Sequence, residues 1–212
     1  VLVTFEAEVP AMGYATYYLE QAEPDQNQET SADFANERVL ENENLKVTVN
    51  EDGSYQILNK ETGRTYENLG LYEDTGDMGN EYIHIQDSGK QTITTKGMKA
   101  EIRCVEKNAF RTVVEICHEM MIPSGMGEEL QRQREMCIDP YTRVANRSKE
   151  LVPMEVKTVL TLEKSGKGLH VATTICNQAK DHRVRVVMPT GLNTSTHLAD
   201  SAFEVVKRNN RH

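Results

Sequence analysis

The chain has 212 residues, 38% of them hydrophobic, with 33 acidic against 24 basic side chains and a formal net charge of −9. That length allows one domain with a sizeable core, and the acidic balance argues against nucleic acid, whose phosphates call for basic stripes. No apolar run approaches the roughly 20 residues that span a bilayer, so the sequence reads as soluble and no membrane partner is expected.

Residues 1–9 alternate, with Val1, Val3, Phe5, Ala7 and Val9 on one face and Thr4, Glu6 and Glu8 between them. That is the period of a half-buried strand. Pro10 and Gly13 break it, and a second, aromatic-rich strand is expected from Tyr14 to Leu19. From residue 20 to 38 nearly every side chain is polar, with Pro24 inside, which is the composition of a linker or an exposed loop. The expected division is the end of a small β-domain over residues 1–20, a linker over 21–39 and a large β-domain over 40–212. The chain starts without methionine and stops at Asn210-Arg211-His212 without a closing signal. Both ends read as cuts inside a longer protein.

Leu45 to Val49 leads through Asn50-Glu51-Asp52-Gly53 into Ser54 to Leu58, and Asp-Gly supplies the positive φ that tight hairpins need. Glu61-Thr62-Gly63 turns the chain again, and residues 72–80, rich in glycine and acid, read as a loop. Further strand-like runs follow at residues 91–95, 99–105, 111–122, 155–162, 169–175 and 183–188. The one helix candidate, residues 127–136, is short and almost wholly charged. Short strands without helical periodicity predict an all-β antiparallel sandwich.

The four cysteines, Cys104, Cys117, Cys137 and Cys176, are too widely spaced for a Cys-x-x-Cys clamp. Cys104 and Cys117 fall in strand-like runs as small buried hydrophobes, which fits a reducing cytoplasm. None of the six histidines stands in a His-x-Asp pair. His118-Glu119 and Asp181-His182 point to opposite faces if their segments are strands, so neither pair can chelate one ion. No catalytic residue and no metal ligand is assigned.

Four strings carry a resemblance. They are Val9-Pro10-Ala11-Met12-Gly13-Tyr14-Ala15-Thr16-Tyr17-Tyr18; Leu40-Glu41-Asn42-Glu43-Asn44-Leu45 with the two turns after it; Glu73-Asp74-Thr75-Gly76-Asp77-Met78-Gly79-Asn80-Glu81-Tyr82; and Asn177-Gln178-Ala179-Lys180-Asp181-His182-Arg183-Val184-Arg185 continuing to Arg208. In this order they resemble the C-terminal half of bacterial family 38 glycoside hydrolases, which are α-mannosidases. The resemblance implies a truncated galactose-mutarotase-like supersandwich, preceded by strands of a small β-domain. It also implies that the zinc and the nucleophile of a retaining hydrolase lie in an N-terminal domain absent here, so the chain alone is inert and holds no cofactor. An α-mannoside is the implied substrate, reached through that domain, and homo-oligomers are a further expected association. In such enzymes a tyrosine from the loop matching residues 74–82 reaches the active site, which makes Asp77, Asn80, Glu81 and above all Tyr82 candidate substrate-binding residues. An arginine after a stretch like the one ending here does the same, which adds Arg208. Two other classes stay open: a free-standing carbohydrate-binding module, and a mutarotase-like epimerase using His182 and Glu204.

Overall fold

The computed structural model describes residue 5, residues 7–20 and residues 34–210. A first sheet is a meander of β1 (Val39–Glu41), β2 (Leu45–Val49), β3 (Tyr55–Asn59) and β4 (Thr65–Leu69). Then come β5 (Leu71–Gly76), β6 (Thr92–Thr94), β7 (Glu101–Lys107) and β8 (Arg111–Pro123). A helix, α1 (Glu128–Glu135), precedes β9 (Leu151–Glu163), β10 (His170–Cys176), β11 (His182–Val187), β12 (Thr196–Asp200) and β13 (Val205–Asn209). The second sheet runs β10-β9-β8-β7, the third β11-β5-β6, and β12 pairs with β13. The all-β prediction holds, and the helix sits where the charged run predicts it.

The long strands β8 and β9 form the floor. Their pairing is antiparallel from Arg111 opposite Glu163 to Pro123 opposite Leu151, so alternate side chains make one continuous apolar face. Half of that face, with Val114, Ile116, Leu160 and Leu162, packs under the first sheet through Leu40, Leu45, Val47, Val49, Tyr55 and Leu69. The other half, with Met120, Ile122, Met154 and Val156, packs under the third sheet through Tyr72, Ile93 and Val184. Each such side chain contributes about 1.5–3 kcal/mol by leaving water.

The Asp52-Gly53 turn is built as its residues require. Gly53 has φ 74, and Asp52 Oδ1 accepts from the Ser54 amide at 3.1 Å and hydroxyl at 2.6 Å. A Cβ on Gly53 would lie 2.5 Å from His118 Cε1, because His118 Nε2 donates to the Asp52 carbonyl at 2.8 Å. His118 is buried and Glu119 exposed, on opposite faces of β8 as strand geometry demands.

Three expectations need correction. Residues 71–76 are a strand rather than part of a loop: β5 lies between β11 and β6 and is covered on both faces. Acid in a strand signals solvent only when the acid has no buried partner, and Asp74 has two. The strand expected from Tyr14 to Leu19 is absent; the described residues before 21 contain a turn at Ala11-Met12 and no strand. Tyr17 is engaged by its side chain instead, its hydroxyl donating to the Glu8 carbonyl at 2.7 Å. The strand expected over residues 1–9 lies largely outside the described residues. The sandwich also takes in part of the expected linker, since Phe34 is buried in the first core and the Cys104 amide donates to the Ala35 carbonyl.

Burial pushes the Tyr55 phenol up to about 12 from 10.0, with Tyr72 adding to the shift. The folded chain therefore keeps a proton that the unfolded chain releases near pH 10. The contribution is fully present below that pH and is lost as pH rises through about 12. A rise of about two pH units corresponds to about 2.7 kcal/mol. Urea midpoints from pH 9 to 12 should fall more steeply for wild type than for Tyr55→Phe, and parallel curves would contradict this.

Candidate functional site

The loop between β5 and β6 leaves the sheet at Asp77 and folds back through an antiparallel bridge between Asp77 and Gln86. The Met78 amide donates to Ile85 O at 2.7 Å and the Asn80 amide to Ile83 O at 3.0 Å. Asp77 Oδ1 accepts from the amides of Gly79 at 2.8 Å and Ile85 at 3.0 Å. Asn80 Oδ1 accepts from Tyr82 at 2.9 Å and Ile83 at 3.0 Å. These Asx bonds let the backbone turn without a ladder partner. The loop closes so tightly that a Cβ on Gly79 would lie 1.7 Å from Ile83 O.

Apolar and charged braces hold the loop from behind. Met78 is buried with Leu130 of α1 and Ala145, joined by Ile85 and Met126. Leu130 is the one buried residue of α1, whose Glu128 and Glu129 open the helix and whose Arg132 and Arg134 close it, the arrangement its dipole favours. Arg143 Nη1 donates to the carbonyls of Met78 at 3.0 Å and Gly79 at 3.2 Å, and its Nε to Ile138 O at 3.1 Å. The Ser88 amide donates to Ala145 O, and Ser88 Oγ accepts from the Ala145 amide.

Beneath the loop lies a buried charge network. Asp74 on β5 is fully buried, ion-pairs with Arg147 through Oδ1 and is hydrogen-bonded to His182 Nδ1 through Oδ2, the latter at 2.5 Å. His182 Nε2 is 3.0 Å from Asn177 Oδ1, so both ring nitrogens are engaged. Asp181 pairs with Arg134 of α1 at 2.9 Å, while Arg185 pairs with Glu73 at 3.1 Å. The sequence signal for the network was Asp181-His182 itself, but the carboxylate that His182 meets is 108 residues away.

The candidate residues thus divide. Asp77 and Asn80 spend side-chain oxygens on the loop's own amides. Glu81 and Tyr82 are exposed at its tip, Tyr82 by 87%. Arg208 stands on β13 opposite His197 of β12, exposed and without an ion-pair partner among the described residues. Both ring nitrogens of His182 are turned to protein partners, and Glu204 is exposed at the turn between β12 and β13. Among the described residues no three His, Cys, Asp or Glu side chains converge as metal ligands. No helix among the described residues is long and apolar enough to cross a membrane.

Comparison with known proteins agrees with this architecture. Residues 40–212 match the family described as "Glycosyl hydrolases family 38 C-terminal domain". A protein of Halalkalibacterium halodurans named "Putative mannosylglycerate hydrolase" is 43% identical over 171 residues, which is 81% of this chain and 19% of that protein. The crystal structure of an alpha-mannosidase from Enterococcus faecalis superposes with a TM-score of 0.80 at 40% identity, covering 84% of this chain and 20% of the other. A second structure from Enterococcus faecalis, of a protein in glycosyl hydrolase family 38, gives a TM-score of 0.80 at 38% identity over 90% of this chain and 23% of the other. The chain spans about a fifth of the length of these relatives. It belongs to the family 38 glycosyl hydrolases, through their C-terminal domain.

Proposed function

We propose that this chain is the substrate-facing β-sandwich of a retaining α-mannosidase whose nucleophile, acid/base and zinc lie outside these residues. The observation that carries the reading is the braced loop. Its backbone and the side chains of Asp77 and Asn80 are fixed internally, while Tyr82 stands free at the tip. Ordering an exposed tip in advance removes an entropy cost that binding would otherwise meet. A phenol beside Glu81 offers a flat ring and polar groups, the combination that sugars take. Arg208, exposed and without an ion-pair partner among the described residues, offers a fork of donors suited to substrate hydroxyls or to an acidic aglycone. The name of the Halalkalibacterium relative, a mannoside of glycerate, makes a carboxylate aglycone the first to try.

The test is made in the full-length protein, with an aryl α-mannoside and mannosylglycerate as substrates. Tyr82→Phe and Arg208→Ala should each lower kcat/KM about tenfold, the scale of one polar contact of about 1.4 kcal/mol in the transition state. Arg208→Ala should weaken mannosylglycerate turnover more than aryl mannoside turnover. Unchanged kinetics in both variants would return these residues to the surface.

A further inference from the structure

We propose that Arg143 is a positioning residue that sets the Tyr82 loop for substrate, an inference resting on the substrate role of Tyr82 given above. Arg143 does not reach the tip. It acts on the backbone that leads there, donating from one nitrogen to two successive carbonyls, Met78 O at 3.0 Å and Gly79 O at 3.2 Å. Its Nε is tied to Ile138 O at 3.1 Å, so the guanidinium is anchored on the segment after α1 while it grips the loop.

The grip falls where the loop is least able to hold itself. The Asx bonds of Asp77 and Asn80 fix local turns, but both lie within the loop and move with it. The apolar brace of Met78 against Leu130 and Ala145 ends one residue before Gly79. Arg143 is the side chain that ties the Gly79 carbonyl, three residues from Tyr82, to the body of the domain. A guanidinium does this with a flat fork of fixed direction, whereas a lysine is a mobile point charge on a flexible stem. A tip displaced by about 1 Å is enough to lose a contact that depends on its aim.

The experiment uses the full-length protein with Arg143→Ala and Arg143→Lys, each alone and combined with Tyr82→Phe. Arg143→Ala should lower kcat/KM about tenfold in the wild-type background and have little effect once Tyr82 lacks its hydroxyl. Arg143→Lys should recover little of the loss, and millimolar guanidinium should restore part of the activity of Arg143→Ala. Amide exchange at Ile83 and Ile85 should accelerate while the strands β8 and β9 stay protected. Equal losses in both backgrounds, or unchanged exchange at Ile83 and Ile85, would overturn the proposal. A neutral Tyr82→Phe with faster loop exchange in Arg143→Ala would leave Arg143 as the loop's brace and sink the substrate role of Tyr82 instead.

Discussion

Replacing Arg147 with alanine is expected to cost the domain about 3–5 kcal/mol, enough to threaten folding in a protein of ordinary stability. Arg147 and Asp74 are both buried, their side chains exposed by 3% and 0%. Removing the guanidinium leaves a carboxylate in the interior with His182 as its remaining partner. The loss is that of a stranded charge rather than of one bond, and it exceeds what a surface pair can contribute. Arg132 and Glu128 on α1 form an i,i+4 pair at 2.9 Å with both side chains largely exposed, and breaking it should cost no more than about 0.5 kcal/mol. Arg147 also carries packing, since its Cγ lies 2.9 Å from where a Cβ on Gly76 would stand. Urea unfolding of Arg147→Ala beside Arg132→Ala measures the contrast. The double variant Asp74→Leu/Arg147→Met should be less damaging than Arg147→Ala, because it removes both charges and keeps the volume. Equal costs at the two arginines would show that the buried pair is solvated after all.

That network also marks where the sequence is hardest to read. Alternation located β2, β3 and the floor strands β8 and β9, because one face of each is apolar and a half-buried strand has no other way to write itself. The same reasoning failed at β5. Glu73, Asp74, Thr75 and Gly76 look like solvent-facing loop residues, and only the arrival of Arg147 and His182 from distant parts of the chain makes an aspartate tolerable there. Long-range compensation leaves no periodic trace. Phe34 is a similar case, a single apolar residue at the end of a polar run whose burial depends on a sheet not yet formed.

The site was legible in a different measure. The loop around Tyr82 stood out by its glycines and by resemblance to a family, not by any spacing that requires sugar chemistry. What the sequence left mixed was which members face outward. Asp77, Asn80, Glu81 and Tyr82 are equally polar on paper, yet two of them satisfy backbone amides and two do not. Arg143 gave no signal because its partners are carbonyl groups, which every residue has.

Gly79→Ala is expected to lower mannoside turnover of the full-length protein by about tenfold, or about 1.4 kcal/mol at 1.36 per decade, while costing the fold only about 1–3 kcal/mol. A methyl group at Gly79 would stand 1.7 Å from Ile83 O and 2.8 Å from Ile83 C. The obstacle is backbone, so no side-chain rotation relieves it, and the loop itself has to open. Opening separates the Asn80 amide from Ile83 O and pulls Gly79 from the Asp77 carboxylate, so the turn that aims Tyr82 loses its closing bonds. The floor strands and both cores lie elsewhere and keep their packing. Gly168→Ala is the matched control, since nothing lies within 4 Å of its added Cβ, and both activity and stability should stay at wild-type levels. Kinetics with an aryl α-mannoside, read beside thermal unfolding of each variant, separate the two effects. Wild-type turnover in Gly79→Ala would mean that the closed loop is not the form that meets substrate, whatever the stability of the variant.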